Sequence, residues 1–208
     1  MKDRLWKTER VYDTLRNDLK SGVYQPGDRI EAAAAAIRLK TSVSPVRAAL
    51  HRLTGERLVD AHAHGGFSVP QLTETGLREQ FEWNHQVVQM ALRWPTAHSV
   101  TAPQIEPPHD AGSTVAAMEQ VVLQIGRRVP SAELRAALST SIIRLHRPRE
   151  IEVELMPSLQ DDVRNWVNAW SAGDLRELAR QMQGKHNRRH TLVHQIVDRL
   201  HQIQAHDV

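Results

Sequence analysis

The stretch "TSVSPVRAALHRLTGERLVDAHAHGGFSV", Thr41 to Val69, constrains the fold of this chain more than any other. Within it Val46, Ala49, Leu50 and Leu53 recur at i, i+3, i+4 and i+7, the spacing of a helix with one apolar face. "TSVSP" before them is a turn, with Ser42 or Ser44 able to cap the helix and Pro45 suited to its first turn. "TGE" ends the helix soon after Leu53. "LVDAHAHGGFSV" then predicts two short β-segments around His64, Gly65 and Gly66.

Upstream, Val11, Leu15 and Leu19, widened by Tyr12, predict a helix from Lys7 to Ser21. "GVYQPGD" breaks it with Gly and Pro. The alanine-rich "EAAAAAIRLK", Glu31–Lys40, is strongly helix-favouring. Helix, helix, turn, helix and hairpin is the element order of a winged helix-turn-helix.

The face of the third helix opposite its apolar stripe carries Ser44, Arg47, Ala48 and His51, with Arg52 at the edge. Small residues around one Arg suit a major groove, where Arg can donate two hydrogen bonds to guanine O6 and N7. The helix N-terminus or Ser can hold a phosphate. The same periodicity also fits a solvated amphipathic helix in an ordinary helical domain. Charge leans toward the first reading: residues 1–70 hold 12 Lys/Arg against 8 Asp/Glu, and the rest 15 against 16. A basic N-terminal third favours a polyanionic partner.

Beyond Pro70 only helices are predicted: Leu77–Trp94, Thr114–Gly126, Ser131–Arg147, Leu159–Ser171, and Leu175 to about Gln204 with a kink near Gly184. Residues 95–112 contain four prolines and read as a loop. The expected fold is mainly α: an N-terminal winged helix-turn-helix over 1–72 and a C-terminal all-α helical bundle over 73–208. The chain has no cysteine, which excludes disulfides, zinc fingers and thiol catalysis. Its charged start "MKDRLWKTER" is no secretory signal, and no apolar run reaches the roughly 18 residues of a membrane span. A cytoplasmic protein without a membrane partner is expected. No HExxH, Gly-x-Ser-x-Gly or phosphate-binding Gly loop is present, so neither an enzyme nor a cofactor is expected.

"GDRI…SVSPVRAALHRLTGERLV…GGFSV" resembles the GntR family of bacterial transcription regulators over residues 10–70. Gly27, Asp28, Arg29 and Ile30 open the pattern. Pro45, Val46, Arg47, Ala49 and Leu50 match it without insertion, and Leu58 and Val59 precede the wing. Val43 stands where the family often has Arg, and Ala48 where it often has Glu. The resemblance implies a DNA interface with Arg47 as base reader, Ser42, Ser44 and Pro45 at the helix entry, and His51 and Arg52 on the exposed face. Arg38 and Lys40 would hold backbone phosphate, and His64, Gly65 and Gly66 would form the wing tip.

The helices from Trp83 to His201 resemble, more loosely, the FCD-type effector domain of the fatty-acid-regulator branch. "GLREQFEWNHQVVQMAL", "VPSAELRAALSTSIIRLHR" and "VNAWSAGDLRELARQMQGKH" carry that likeness. Many such domains hold a metal with one Asp and three His, or an organic acid beside it. Here Met118 falls at the Asp position and Val122 and Val163 at two His positions, while His186 is retained. The usual metal set is therefore depleted, and no metal is expected there. The implied effector pocket comprises Trp83, Met118, Val122, Val163 and His186.

His186, His190, His194 and His201 would fall within an arc of about 80° on one ideal helix. They read either as a different metal site or as a polar flank beside Leu192, Val193, Ile196, Val197 and Leu200; no acidic residue adjacent in sequence completes a site. Trp166 and Trp170, four apart, are core or pocket lining. The expected function is a dimeric transcription regulator: a repressor that binds a palindromic operator and is released by an organic-acid-like small-molecule effector. The alternatives are a winged-helix protein-interaction module with no DNA role and a metal-dependent enzyme using the C-terminal histidines.

Overall fold

The computed structural model describes residues 2–63, 65–95 and 104–206. The chain divides into two units, Met1–Leu72 and Thr73–Val208.

In the first unit α1 (Lys2–Ser21) packs on α3 (Val43–Gly55), and α2 (Ala32–Arg38) packs on α3 as well. Val46, Ala49, Leu50 and Leu53 have no exposed surface, and they meet the buried Val11, Tyr12 and Leu15 of α1 in one core. Full burial of such an aliphatic side chain contributes about 1.5–3 kcal/mol. Ala35 and Ala36 are the buried residues of α2, and their small side chains suit close approach to α3. Helix α3 begins at Val43, so Ser42 is its N-cap, although the Ser42 hydroxyl makes no capping hydrogen bond. Pro45 lies in the first turn, where its missing N–H costs no helical bond.

The wing is a three-stranded antiparallel sheet, with β1 (Arg29–Ile30), β2 (Asp60–Ala61) and β3 (Phe67–Ser68) in the order β1-β3-β2. Ile30 and Ala61 both face Phe67 across the ladders, and Arg29 and Asp60 face Ser68. Strand β1 was not expected: two residues carry too short an alternation to register as a strand. Gly27 N–H donates to the Val69 carbonyl and Val69 N–H to that of Asp28, each at 2.9 Å, tying the Gly-Asp turn to the wing. Gly27 is required there. Its φ is +89°, and a Cβ would lie 2.1 Å from Gln71 Nε2.

The second unit is helical: α4 (Glu74–Arg93), α5 (Ala111–Arg128), α6 (Ala132–Arg144), α7 (His146–Leu155), α8 (Leu159–Ser171), α9 (Leu175–Arg189) and α10 (Val193–His206). Thr73, Asp110, Ser131 and Asp174 cap four of them by accepting from the backbone three residues on. The core gathers Val88, Val121, Ile125, Leu138, Leu159, Val163 and Leu178, among others, from α4, α5, α6, α8 and α9.

Two helix breaks differ from the sequence-based expectation, and α1, α4 and α5 start three to five residues before the expected Lys7, Leu77 and Thr114. The helix expected over Ser131–Arg147 stops at Arg144 and restarts at His146, placing Pro148 in a new first turn where a proline is tolerated. The long C-terminal helix breaks at a 3-10 turn, His190–Leu192, rather than at Gly184, which stays helical within α9. Residues 96–103 of the proline-rich segment lie outside the described residues.

Candidate nucleic-acid interface and buried cavity

Burying the apolar stripe of α3 turns Ser44, Arg47, Ala48 and His51 outward, and all four are exposed. Among the described residues, no hydrogen bond or ion pair engages Arg47. Two other cations assigned to this surface are already engaged. Arg38 pairs with Asp18 of α1 and also donates to the Tyr24 hydroxyl at 3.4 Å. The Arg52 guanidinium lies 3.6 Å from the centre of the Tyr12 ring and bonds both carboxylate oxygens of Glu9, at 2.9 and 3.1 Å. Glu56 lies 3.7 Å from Arg52 and accepts the Tyr12 hydroxyl at 2.6 Å. Burial, then that hydrogen bond, push the Tyr12 phenol up to about 12. Arg52 thus holds α1 to α3.

Lys40 is exposed with φ +50°, in the turn before the exposed Ser42. The His51 ring meets Phe67 edge-on at 5.0 Å, joining α3 to the wing. Gly65 and Gly66 have φ of +88° and +92° with open space where a Cβ would be. His64 lies outside the described residues.

In the second unit a cavity of about 30 Å³, room for roughly one water, is lined by Met118, Val122 and His186 together with Arg149, Trp166 and Lys185. Val163 is fully buried in the core without lining it, and Trp83 is 56 % exposed on α4, so neither contributes to the pocket assigned to it. Met118, Val122 and Val163 offer no imidazole or carboxylate, so the Asp-and-three-His metal set implied by the resemblance does not fit these residues. Of the two tryptophans, Trp166 lines the cavity and Trp170 is core.

A set of buried charges beside the cavity was not foreseen from the sequence. Glu152 of α7 has no exposed surface; it accepts from Lys185 at 2.8 Å and from Arg189 at 2.7 and 3.0 Å. Burial works to raise the Glu152 carboxyl, but Arg189 and Lys185 outweigh it and hold it down at about 2. Burial pushes the Arg149 guanidinium down to about 10, and Glu119 lies 3.7 Å from it. Arg149 Nε and Nη1, Trp166 Nε1 and His186 Nδ1 are buried without a hydrogen-bond partner among the described residues. These charges were legible only as an anomaly: Lys185 and Arg189 continue the buried spacing of Leu178 and Met182 on α9. Arg149 and Glu152 were missed because they follow Pro148, where the helix was expected to have ended.

The histidine run does not share one helix face. His186 Nε2 lies 3.0 Å from Glu82 Oε2, and His190 Nε2 lies 3.1 Å from His186 Nε2. The acidic neighbour missing from the sequence comes from α4, 104 residues away. His194 instead pairs with Glu74 at 2.7 Å and Asp198 at 3.1 Å. His85 stacks on His186 with ring centres 4.1 Å apart and bonds Gln183 at 2.8 Å. Burial, then the charge of His85, press the His186 imidazole down to about 4, so it is neutral at neutral pH.

Residues 7–69 match the sequence profile of the bacterial regulatory proteins, gntR family. The N-terminal unit is thus a winged helix-turn-helix similar to those of the gntR family. A transcriptional repressor of Escherichia coli (strain K12), GlaR, is 32 % identical over 71 residues, 34 % of this chain and 32 % of that protein. An uncharacterized HTH-type regulator of Bacillus subtilis (strain 168), YdhC, is 30 % identical over 83 residues, 40 % and 37 % of the two chains. The match thus spans about a third of the length of these curated relatives. Among solved structures, Escherichia coli McbR/YncC superposes with a TM-score of 0.61 at 18 % identity, covering 91 % of this chain and 97 % of its own. A protein of Rhodococcus sp. RHA1 described as a GntR transcriptional regulator gives 0.51 at 18 %, covering 89 % and 96 %. These two likenesses concern the fold, winged helix and helical domain alike. The family is described as one of bacterial regulatory proteins, and both curated relatives are named as transcriptional regulators.

Proposed function

We propose that this protein is a transcription regulator that reads DNA with the outer face of α3. The observation that carries this reading is the exposed Arg47 beside Ser44, Ala48 and His51, a cation with no intramolecular partner among the described residues, on a helix whose other face is wholly buried. Arg47 would read a guanine in the major groove. Lys40, Ser42, Ser44 and the N-terminus of α3, with Pro45 shaping its entry, would meet phosphate, and His64, Gly65 and Gly66 would follow the adjoining backbone. Arg38 and Arg52 would contribute mainly by fixing α2 and α3 against α1.

The finer reading is a cytoplasmic homodimer on a palindromic operator, since a two-fold protein reads paired half-sites. Trp83 and Met90, seven residues apart and both half-exposed on α4, support self-association of an FCD-type helical domain. Repression is favoured by the likeness to GlaR. An organic-acid effector would have to open a cavity of about 30 Å³, well below the roughly 300 Å³ of ordinary ligand pockets. No helix among the described residues is long and apolar enough to cross a membrane.

Selection of bound genomic fragments by the purified full chain, followed by anisotropy titrations at rising salt, tests the reading. A selected sequence bound with steeply salt-dependent affinity is expected. Absence of any DNA affinity at low salt would leave a winged-helix protein-interaction module instead.

A further inference from the structure

The histidines of the α9 junction converge on an acidic side chain in a way that ordinary hydrogen bonding does not satisfy. His186 Nε2 faces Glu82 Oε2 at 3.0 Å and His190 Nε2 at 3.1 Å, and the three ligand atoms lie within 4.8 Å of one another. A single proton on His186 Nε2 can be donated to one of these partners only. A proton on His190 instead would serve His186 and leave its contact with the carboxylate unsupported. One cation at the centre of the triangle accepts a lone pair from all three atoms. Tetrahedral zinc with bonds of about 2.0–2.1 Å separates its ligands by about 3.3 Å, near the two short edges seen here.

The surroundings are also those of a held site. Gln86 donates to Glu82 Oε1 at 2.7 Å, leaving Oε2 turned to the histidines. His85, fixed by Gln183, stacks flat on His186 and sets its ring plane. His186 is buried, His190 half-buried and Glu82 exposed, so an ion has a route from solvent and a fourth position open to water.

We propose that Glu82, His186 and His190 form a site for a first-row divalent transition-metal ion such as Zn²⁺. The site uses none of the apolar Met118, Val122 and Val163 positions and shares only His186 with the ligand set implied by the resemblance. Binding through Nε2 fixes the His186 proton on Nδ1, the buried atom without a partner in a side chain that lines the cavity. Metal occupancy therefore sets whether that ring presents a donor to the cavity. The proposal stands independently of whether the chain binds DNA.

Calorimetric titration of Zn²⁺ into the EDTA-treated full-length protein tests it, beside the single variants Glu82→Gln and His190→Ala. Both positions are at least partly exposed, so the fold should survive, and circular dichroism checks this. One ion per chain is expected, with affinity reduced at least ten-fold in each variant and unchanged in His109→Ala, a loop histidine. Zinc should also raise the thermal midpoint of the wild type and raise it less in the variants. No saturable binding by the wild type, or undiminished affinity in both folded variants, overturns the site.

Discussion

In the winged unit the fully buried side chains of α3 are Val46, Ala49, Leu50 and Leu53, and Arg47 stands at the surface without a partner among the described residues. In the helical unit Arg149, Glu152, Lys185 and Arg189 occupy core positions, each at most 4 % exposed. Desolvating an ion costs several kcal/mol, and apolar side chains of similar volume often fill such positions at no loss of stability. The α3 core of the winged unit therefore follows the pattern that folding alone selects, with the polar side chains of that helix turned outward. The helical unit keeps a polar interior that folding does not demand, next to a cavity whose walls carry unpartnered donors.

The sharpest way to break this contrast is to remove the charge at the centre of the set. Glu152→Ala leaves Lys185 and Arg189 buried without a counter-ion and should lower unfolding stability by about 3–5 kcal/mol in urea titrations. A loss near zero would show that these groups reach water and that the interior is not ionic. In contrast, Arg47→Ala should leave stability within about 0.5 kcal/mol of the wild type, as expected for an exposed side chain with no hydrogen bond or ion pair among the described residues.

Acid should discriminate next. His186 has a folded value near 4 against 6.5 for an ordinary imidazole, so the unfolded chain binds the extra proton first. Stability should therefore fall as pH drops from about 6.5 to about 4. Glu152, held near 2 against an ordinary 4.5, should extend the loss as pH drops from about 4.5 toward 2. Urea midpoints measured across this range should decline for the wild type and flatten above pH 4.5 in His186→Gln.

Two smaller effects probe the frames of the units. Gly27→Ala puts a Cβ against Gln71 at a left-handed backbone position and should cost the winged unit roughly 1–2 kcal/mol by denaturant titration. Asp110→Ala removes the capping box of α5 and should cost about 1 kcal/mol in the helical unit. Equal loss from Gly27→Ala and Gly65→Ala would mean that contact with Gln71 adds nothing, since Gly65 shares the backbone angle but has open space around it.

The winged unit was legible because its signals are local: an i, i+3, i+4, i+7 stripe, a turn before Pro45 and paired glycines in a hairpin. Strand β1 escaped because Arg29 and Ile30 become a strand only by pairing with β3. The outward face of α3 could be read, but the engagement of Arg38 and Arg52 could not, since Asp18, Glu9 and Tyr12 reach them from α1. In the helical unit the helices were legible from periodicity and the site was not. Glu82 meets His186 across 104 residues, and Glu152 meets Arg189 across 37, so nothing local marks either pairing. Pro148 added a false stop, because a proline ends one helix and opens another with equal ease.

Whether α3 reads DNA is decided by one comparison: anisotropy titrations of the wild type and Arg47→Ala on the fragment recovered by genomic selection, with a scrambled duplex alongside. Removing a bidentate base contact is worth about 1–3 kcal/mol, so the variant should lose roughly ten- to a hundred-fold in affinity for the selected fragment. Its binding to the scrambled duplex should change far less. Undiminished affinity of the variant for the selected fragment would contradict the assignment of this face to DNA.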